Sequence, residues 1–152
     1  SKCKRYAGGG YVLDTGHYHF WKFGSSVSRR PIDYLEGLTA VYCLEDNGPL
    51  WDGCLVHFYI DNKSFQLSAA KAWSHADRLN DLLRQTLFFT VKYNCIVLYH
   101  WISTDDNVLA DPLSRDDEPL FLYRASEPSS PLHGPPRRHA DAGSCRGGEG
   151  VV

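Results

Sequence analysis

An α/β fold is predicted by three observations on this 152-residue sequence. Aromatic and β-branched runs near the start form a hairpin pattern. Two apolar strand runs later on are joined by a long helical stretch. A further helix pattern stands between the hairpin and the first of those strands. Apolar and charged contents, 43% and 22%, are those of an ordinary globular chain, long enough for one domain with a sizeable core.

The elements follow in order. Gly8-Gly9-Gly10 leads into a strand at Tyr11–Leu13, Asp14-Thr15-Gly16 is a turn, and His17–Phe23 is a second strand. A polar loop spans Gly24–Arg30. Pro31 suits a first helical position, and Ile32 to about Asp46 is predicted as a helix that Asn47-Gly48-Pro49 ends. Leu55–Ile60 is an almost unbroken apolar run, the pattern of a strand buried on both faces. A long helical region follows. Its strongest part opens at Ser74 with Asp77 three residues on, like a capping box. Leu79, Leu82, Leu83, Leu87, Phe88 and Val91 then recur at helical spacing. Cys95–Trp101 is a second buried strand, and Asn107–Arg115 a short helical or turn-rich segment. Composition changes near Arg115. Residues 1–115 are expected to be the domain. Residues 116–152, rich in Pro, Gly, Ser and Arg, are expected to be a disordered tail.

Several function classes drop out. No apolar run is long enough to span a bilayer and no signal peptide opens the chain, so an intracellular, non-secreted protein without a membrane partner is expected. Five scattered cysteines without CxxC spacing argue against a disulfide framework or a zinc site. A net charge of −2 counts against gripping nucleic acid by bulk electrostatics. Local patches at Lys2, Lys4 and Arg5, or at Arg29 and Arg30, stay open. The absence of methionine suggests a piece of something longer.

The acids carry the functional reading. Strand 55–60, helix and strand 95–101 form a βαβ unit, whose strands are parallel. Asp61 ends the first strand and Asp111 lies just past the end of the second. Both therefore fall at the sheet edge where open α/β sheets bind ligands. The preceding helix must run back along the strand it feeds. About 15 helical residues span roughly 22 Å, and six or seven strand residues span about the same. Glu36, near the helix start, then comes down beside Asp61. Three convergent carboxylates repel one another, and a hard divalent cation, magnesium above all, relieves that repulsion. Two such ions would suit phosphodiester cleavage. Taken singly, each acid has a plain alternative. Glu36 would be a solvated helix residue, Asp61-Asn62 a helix cap, and Asp111-Pro112 a turn.

Three stretches carry a family resemblance. Tyr59-Ile60-Asp61-Asn62 resembles the strand-ending Asp-Asn of ribonuclease H domains in retrotransposon reverse transcriptases. Asn107-Val108-Leu109-Ala110-Asp111-Pro112-Leu113-Ser114-Arg115 resembles their closing Asn-x-x-Ala-Asp-x-Leu-Ser-Arg signature, and Pro31–Ala40 resembles the helix opening that bears their catalytic Glu. The likeness runs from Ser1 to Arg115 and is greatest to gypsy-type and tyrosine-recombinase-type elements. It implies a ribonuclease H-like α/β fold, a five-stranded mixed sheet flanked by helices. It also implies four acids that hold two Mg2+ ions and hydrolyse the RNA strand of an RNA–DNA hybrid, beside a reverse transcriptase domain, with no small-molecule substrate. Glu36, Asp61 and Asp111 match the second, third and fourth acids. Arg29, Arg30, Asn62 and Asn107 are the candidates for contacting nucleic acid.

The resemblance is incomplete. Ser1 looks like the last residue of the family's Asp-Ala-Ser turn, so the central first strand and its acid are expected to be lacking. Asp14, in the hairpin turn, is no substitute. Trp101-Ile102-Ser103-Thr104 stands where the family often has His-Ile-Pro-Gly. His100 is one position off and is expected to be a packed or hydrogen-bonded histidine without a catalytic role. Lys63 and Phe65 replace small polar residues. The four tryptophans are expected in the core or partly buried. Two rivals stay open. One is a non-catalytic remnant of the same fold. The other is a DNA-acting nuclease or transposase of the same superfold, against which the closing signature counts.

Overall fold

The computed structural model describes residues 7–131 and 148–151. Lys2, Lys4 and Arg5, and the expected turn residue Ser1, lie outside them. The fold is mixed α/β. Its elements are β1 (Ala7–Val12), β2 (Tyr18–Lys22), α1 (Ile32–Asn47), β3 (Leu55–Ile60), α2 (Lys63–Lys71), α3 (Asp77–Lys92), β4 (Ile96–Trp101), α4 (Ala110–Ser114), α5 (Glu118–Ser126) and β5 (Gly148–Val151). The strand order is β2-β1-β5-β3-β4. β1 pairs antiparallel with β2 and with β5, and β3 pairs parallel with β5 and with β4.

β1 is buried along its whole length, and two glycines explain how. A Cβ on Gly8 would collide with the Thr39 side chain of α1, and one on Gly9 with Leu113 and the Ser114 backbone of α4. Successive strand residues point to opposite faces. α1 and α4 therefore close on β1 from opposite sides, in the space the missing side chains leave.

α1 begins after Pro31, whose φ of −56° presets the chain for a helix. It is buried almost all round, from Leu35 to Val41 and again at Cys43 and Leu44. Burial pushes the Cys43 thiol up to about 12, so it is an inert core group rather than a nucleophile. Together with Val56, Phe58 and Ile60 of β3, and with Leu79, Leu82 and Leu83 of α3, α1 builds the main core.

The helical stretch after β3 is two helices. α2 starts at Asn62, whose side chain accepts a hydrogen bond from the Phe65 N–H at 2.9 Å, and ends where Ala72 turns left-handed at φ 55°. The expected capping box at Ser74 is not what opens α3. Asn80 instead grips the Ser74 backbone, accepting from its N–H and donating to its carbonyl, both at 2.9 Å. That clamp holds the link extended, so the helix begins at Asp77.

Two expectations about the strands are corrected. β3 buries Val56, Phe58 and Ile60 but leaves His57 and Tyr59 half-buried and Leu55 exposed. β4, expected to be buried, is the edge strand, with Ile96 65% exposed. The reason is coverage. α1, α2 and α3 build the core on one face of these strands, while α4 and α5 build a second core around Tyr11, Leu109, Ala110, Leu113 and Phe121. Burial raises the Tyr11 hydroxyl to about 12 within that second core.

The boundary at Arg115 is corrected as well. Asp117 caps α5 by accepting from the Leu120 N–H at 3.1 Å. Phe121 is fully buried, with its ring 4.5 Å from that of Tyr18. The Tyr18 hydroxyl donates to Glu118 at 2.8 Å, and Arg124 donates to the Val108 carbonyl at 2.9 Å. The acidic run 116–118, expected to belong to a disordered tail, is thus a helix start. Residues 132–147 lie outside the described residues. The central position of the sheet, expected to be vacant, holds β5.

Candidate functional site

Sheet register locates the three acids. Tyr11 pairs with Val151, and Val151 with Tyr59. Two residues further along, Gly9 of β1 is level with Asp61 at the end of β3. Gly9 touches α4 and Gly8 touches α1 at Thr39, one helical turn from Glu36. A Cβ on Gly37 would meet Phe65 of α2, four residues past Asp61. The elements that carry Glu36, Asp61 and Asp111 therefore meet toward one end of the sheet. Glu36 approaches from the α1 side and Asp111 from the α4 side.

Their surroundings differ. Glu36 is 4% exposed, not the solvated helix residue it would be if taken singly, because α1 is covered on nearly every side. Asp61 is half-buried. It lies just outside the cap of α2, so the cap reading applies to Asn62 and not to Asp61. Asp111 is partly exposed, and both of its oxygens accept from the Arg115 Nε, at 3.1 and 3.0 Å. Among the described residues, no three His, Cys, Asp or Glu side chains come close enough to hold a metal ion. β5 brings one further acid, Glu149, into the central strand. Its register partner is His57, four residues short of Asp61.

The other candidates divide. Arg29 and Arg30 are exposed before α1, and the Arg30 guanidinium lies 5.4 Å from the centre of the Tyr34 ring. The Asn62 side chain is committed to its cap. Asn107 is 2% exposed, so it is held inside the loop before α4 rather than presented to a ligand. Of the tryptophans, Trp51 is buried, Trp21 half-buried, and Trp73 and Trp101 are exposed by half. Lys63 lies 5.7 Å from the centre of the Trp101 ring, beyond the end of β4.

Sequence reasoning missed one pairing. His57 Nδ1 and His100 Nε2 are 2.9 Å apart, with ring centres 5.2 Å apart and planes 22° apart. These values place both nitrogens on the line between the rings, so the two imidazoles share a single proton in an N–H···N hydrogen bond. The expectation of a hydrogen-bonded His100 holds, and its partner is a second histidine. The signal lay in the alternation of β3 and β4, which puts His57 and His100 on one face a diagonal step apart.

No helix among the described residues is long and apolar enough to cross a membrane. No protein-family model, no curated protein and no solved structure matches the chain.

Proposed function

We propose that the chain is a ribonuclease H-like module of a retroelement reverse transcriptase, built to hold an RNA–DNA hybrid across the end of its sheet. The observation that carries this reading is the gathering of Glu36, Asp61 and Asp111 toward the carboxyl end of β3. The mixed sheet supports it, with a glycine-led hairpin antiparallel to a parallel set. Recognition is by duplex shape, phosphates and the 2′-hydroxyl rather than by base sequence. In the parent protein, two magnesium ions serve hydrolysis of the RNA strand. The closing signature around Asp111 favours this over a DNA-acting relative. In this chain the pairing of Asp111 with Arg115 favours hybrid binding with little or no cleavage.

A magnesium-supplemented cleavage assay on a hybrid tests the chemistry. The chain alone is expected to give trace cleavage at most, and Asp61→Asn is expected to abolish it. Robust cleavage that survives Asp61→Asn would contradict the assignment of the acids. The basic loop makes a separate prediction. If Arg29 and Arg30 contact phosphates, Arg29→Ala with Arg30→Ala lowers the slope of log affinity against log salt by about 1.8 on a duplex, at about 0.9 per phosphate contact. An unchanged slope removes both residues from the interface.

A further inference from the structure

We infer that the outer edge of β4 is a self-pairing surface that joins two copies of this chain into one continuous sheet. The ladder fixes which backbone groups are on offer. The Ile96 N–H donates to Cys54 and the Ile102 N–H to Ile60. Even-numbered residues of β4 therefore turn their backbone groups toward β3, and Val97, Tyr99 and Trp101 turn theirs outward. Gln66 of α2 donates to the Tyr99 carbonyl at 2.9 Å, and the Cys95 N–H is bonded to Thr90. Among the described residues, what stays open on this edge is both backbone groups of Val97, the N–H of Tyr99 and, at the strand end, the backbone of Trp101.

That set is complementary to itself. An antiparallel pair centred on Val97 exchanges two bonds between the two Val97 residues. It then sets Tyr99 of one copy opposite Cys95 of the other. There it needs the Tyr99 N–H but loses the bond from Cys95 N–H to the Tyr99 carbonyl, the two groups already satisfied within each chain. The same register places Ile96 of one copy opposite Leu98 of the other, an apolar cross-strand pair.

The flanks agree. Two grooves run along this edge and share Thr90, Cys95 and Ile96. One, of about 290 Å3, adds Leu87, and the other adds Leu55 and Val91. Leu55 and Ile96 on one face of the strands, and Leu87 and Val91 of α3 beside the other, are all exposed, Val91 by 74%. The edge is therefore flanked by apolar side chains on both faces. β4 also carries no proline and no Lys, Arg, Asp or Glu to deter pairing. Lys92, the nearest cation on α3, lies over the Phe89 and Tyr93 rings. Residues 132–147 are a poorer occupant, because Gly, Pro and Arg dominate them whereas β4 is itself a strong strand former.

Sedimentation equilibrium of the full 152-residue chain at micromolar to tens-of-micromolar concentration tests the inference. The expected result is twice the mass of one chain. Ile96→Lys with Val91→Glu, both on exposed positions, is expected to halve that mass and leave the circular dichroism spectrum unchanged. Hydrogen exchange on the unmodified chain provides a second readout, with the Val97 and Tyr99 amides becoming protected as concentration rises. A monomer throughout the range overturns the proposal. So does a dimer untouched by both substitutions, and so does protection of these amides that is independent of concentration, which would mark residues of the same chain as the occupant.

Discussion

Gly9→Ala is expected to cost on the order of 3 kcal/mol or more, enough to unfold much of a marginally stable domain. The added methyl would meet Leu113 and the backbone of Ser114. Backbone cannot step aside as a flexible side chain can, so α4 has to lift from β1. The second core moves with it, since Leu109, Ala110 and Leu113 lie on or beside α4. Urea unfolding followed by circular dichroism measures the loss. A midpoint unchanged from the parent chain would mean that α4 does not sit on β1. Gly16, with φ 69° and open space around it, is the control for proximity: alanine there meets only backbone strain.

Phe121→Ala is the other large effect, expected at about 3–5 kcal/mol for a fully buried aromatic. Phe121 anchors α5 on β2 through Tyr18 and fills the second core. Its removal is expected to lower the thermal midpoint and to expose the 116–131 region to protease. If that region were a tail, the substitution would change nothing. The result therefore decides directly between an ordered α5 and the disordered tail that composition alone suggested.

The sequence shows most of this fold because periodicity is a local property. Leu55–Ile60 coincides with β3, Ile32 opens α1 as expected, and Cys95–Trp101 differs from β4 by one residue. What local pattern does not report is coverage. Ile96 and Leu98 read as buried because they are apolar, yet nothing among the described residues covers the β4 edge. The reverse holds for 116–126. There Asp117 and Glu118 look like a charged linker, while one is a cap and the other accepts from Tyr18. β5 was out of reach altogether. Gly148–Val151 is too short and glycine-rich to be recognised as a strand, and its place follows from the unpaired edges of β1 and β3.

The candidate site divides in the same way. The lengths of α1 and β3 set the start of α1 near the end of β3. They could not show that Glu36 would be enclosed, because that depends on α2 and α3 closing over α1. Nor could they show Arg115 on Asp111. That pair is visible afterwards as an acid and a base four residues apart at a helix end. Asn62 and Asn107, the other two polar candidates for contacting nucleic acid, are both taken up by the fold. The backbone of α2 takes the first, and the interior of the 102–109 loop takes the second.

Fluorescence anisotropy at fixed salt, comparing an RNA–DNA hybrid with a DNA duplex of the same base sequence, measures the proposed recognition of a hybrid by shape. Tighter binding to the hybrid is expected, retained when the sequence is scrambled and weakened by Arg29→Ala with Arg30→Ala. Equal affinity for hybrid and DNA duplex, or no binding to either, would contradict it.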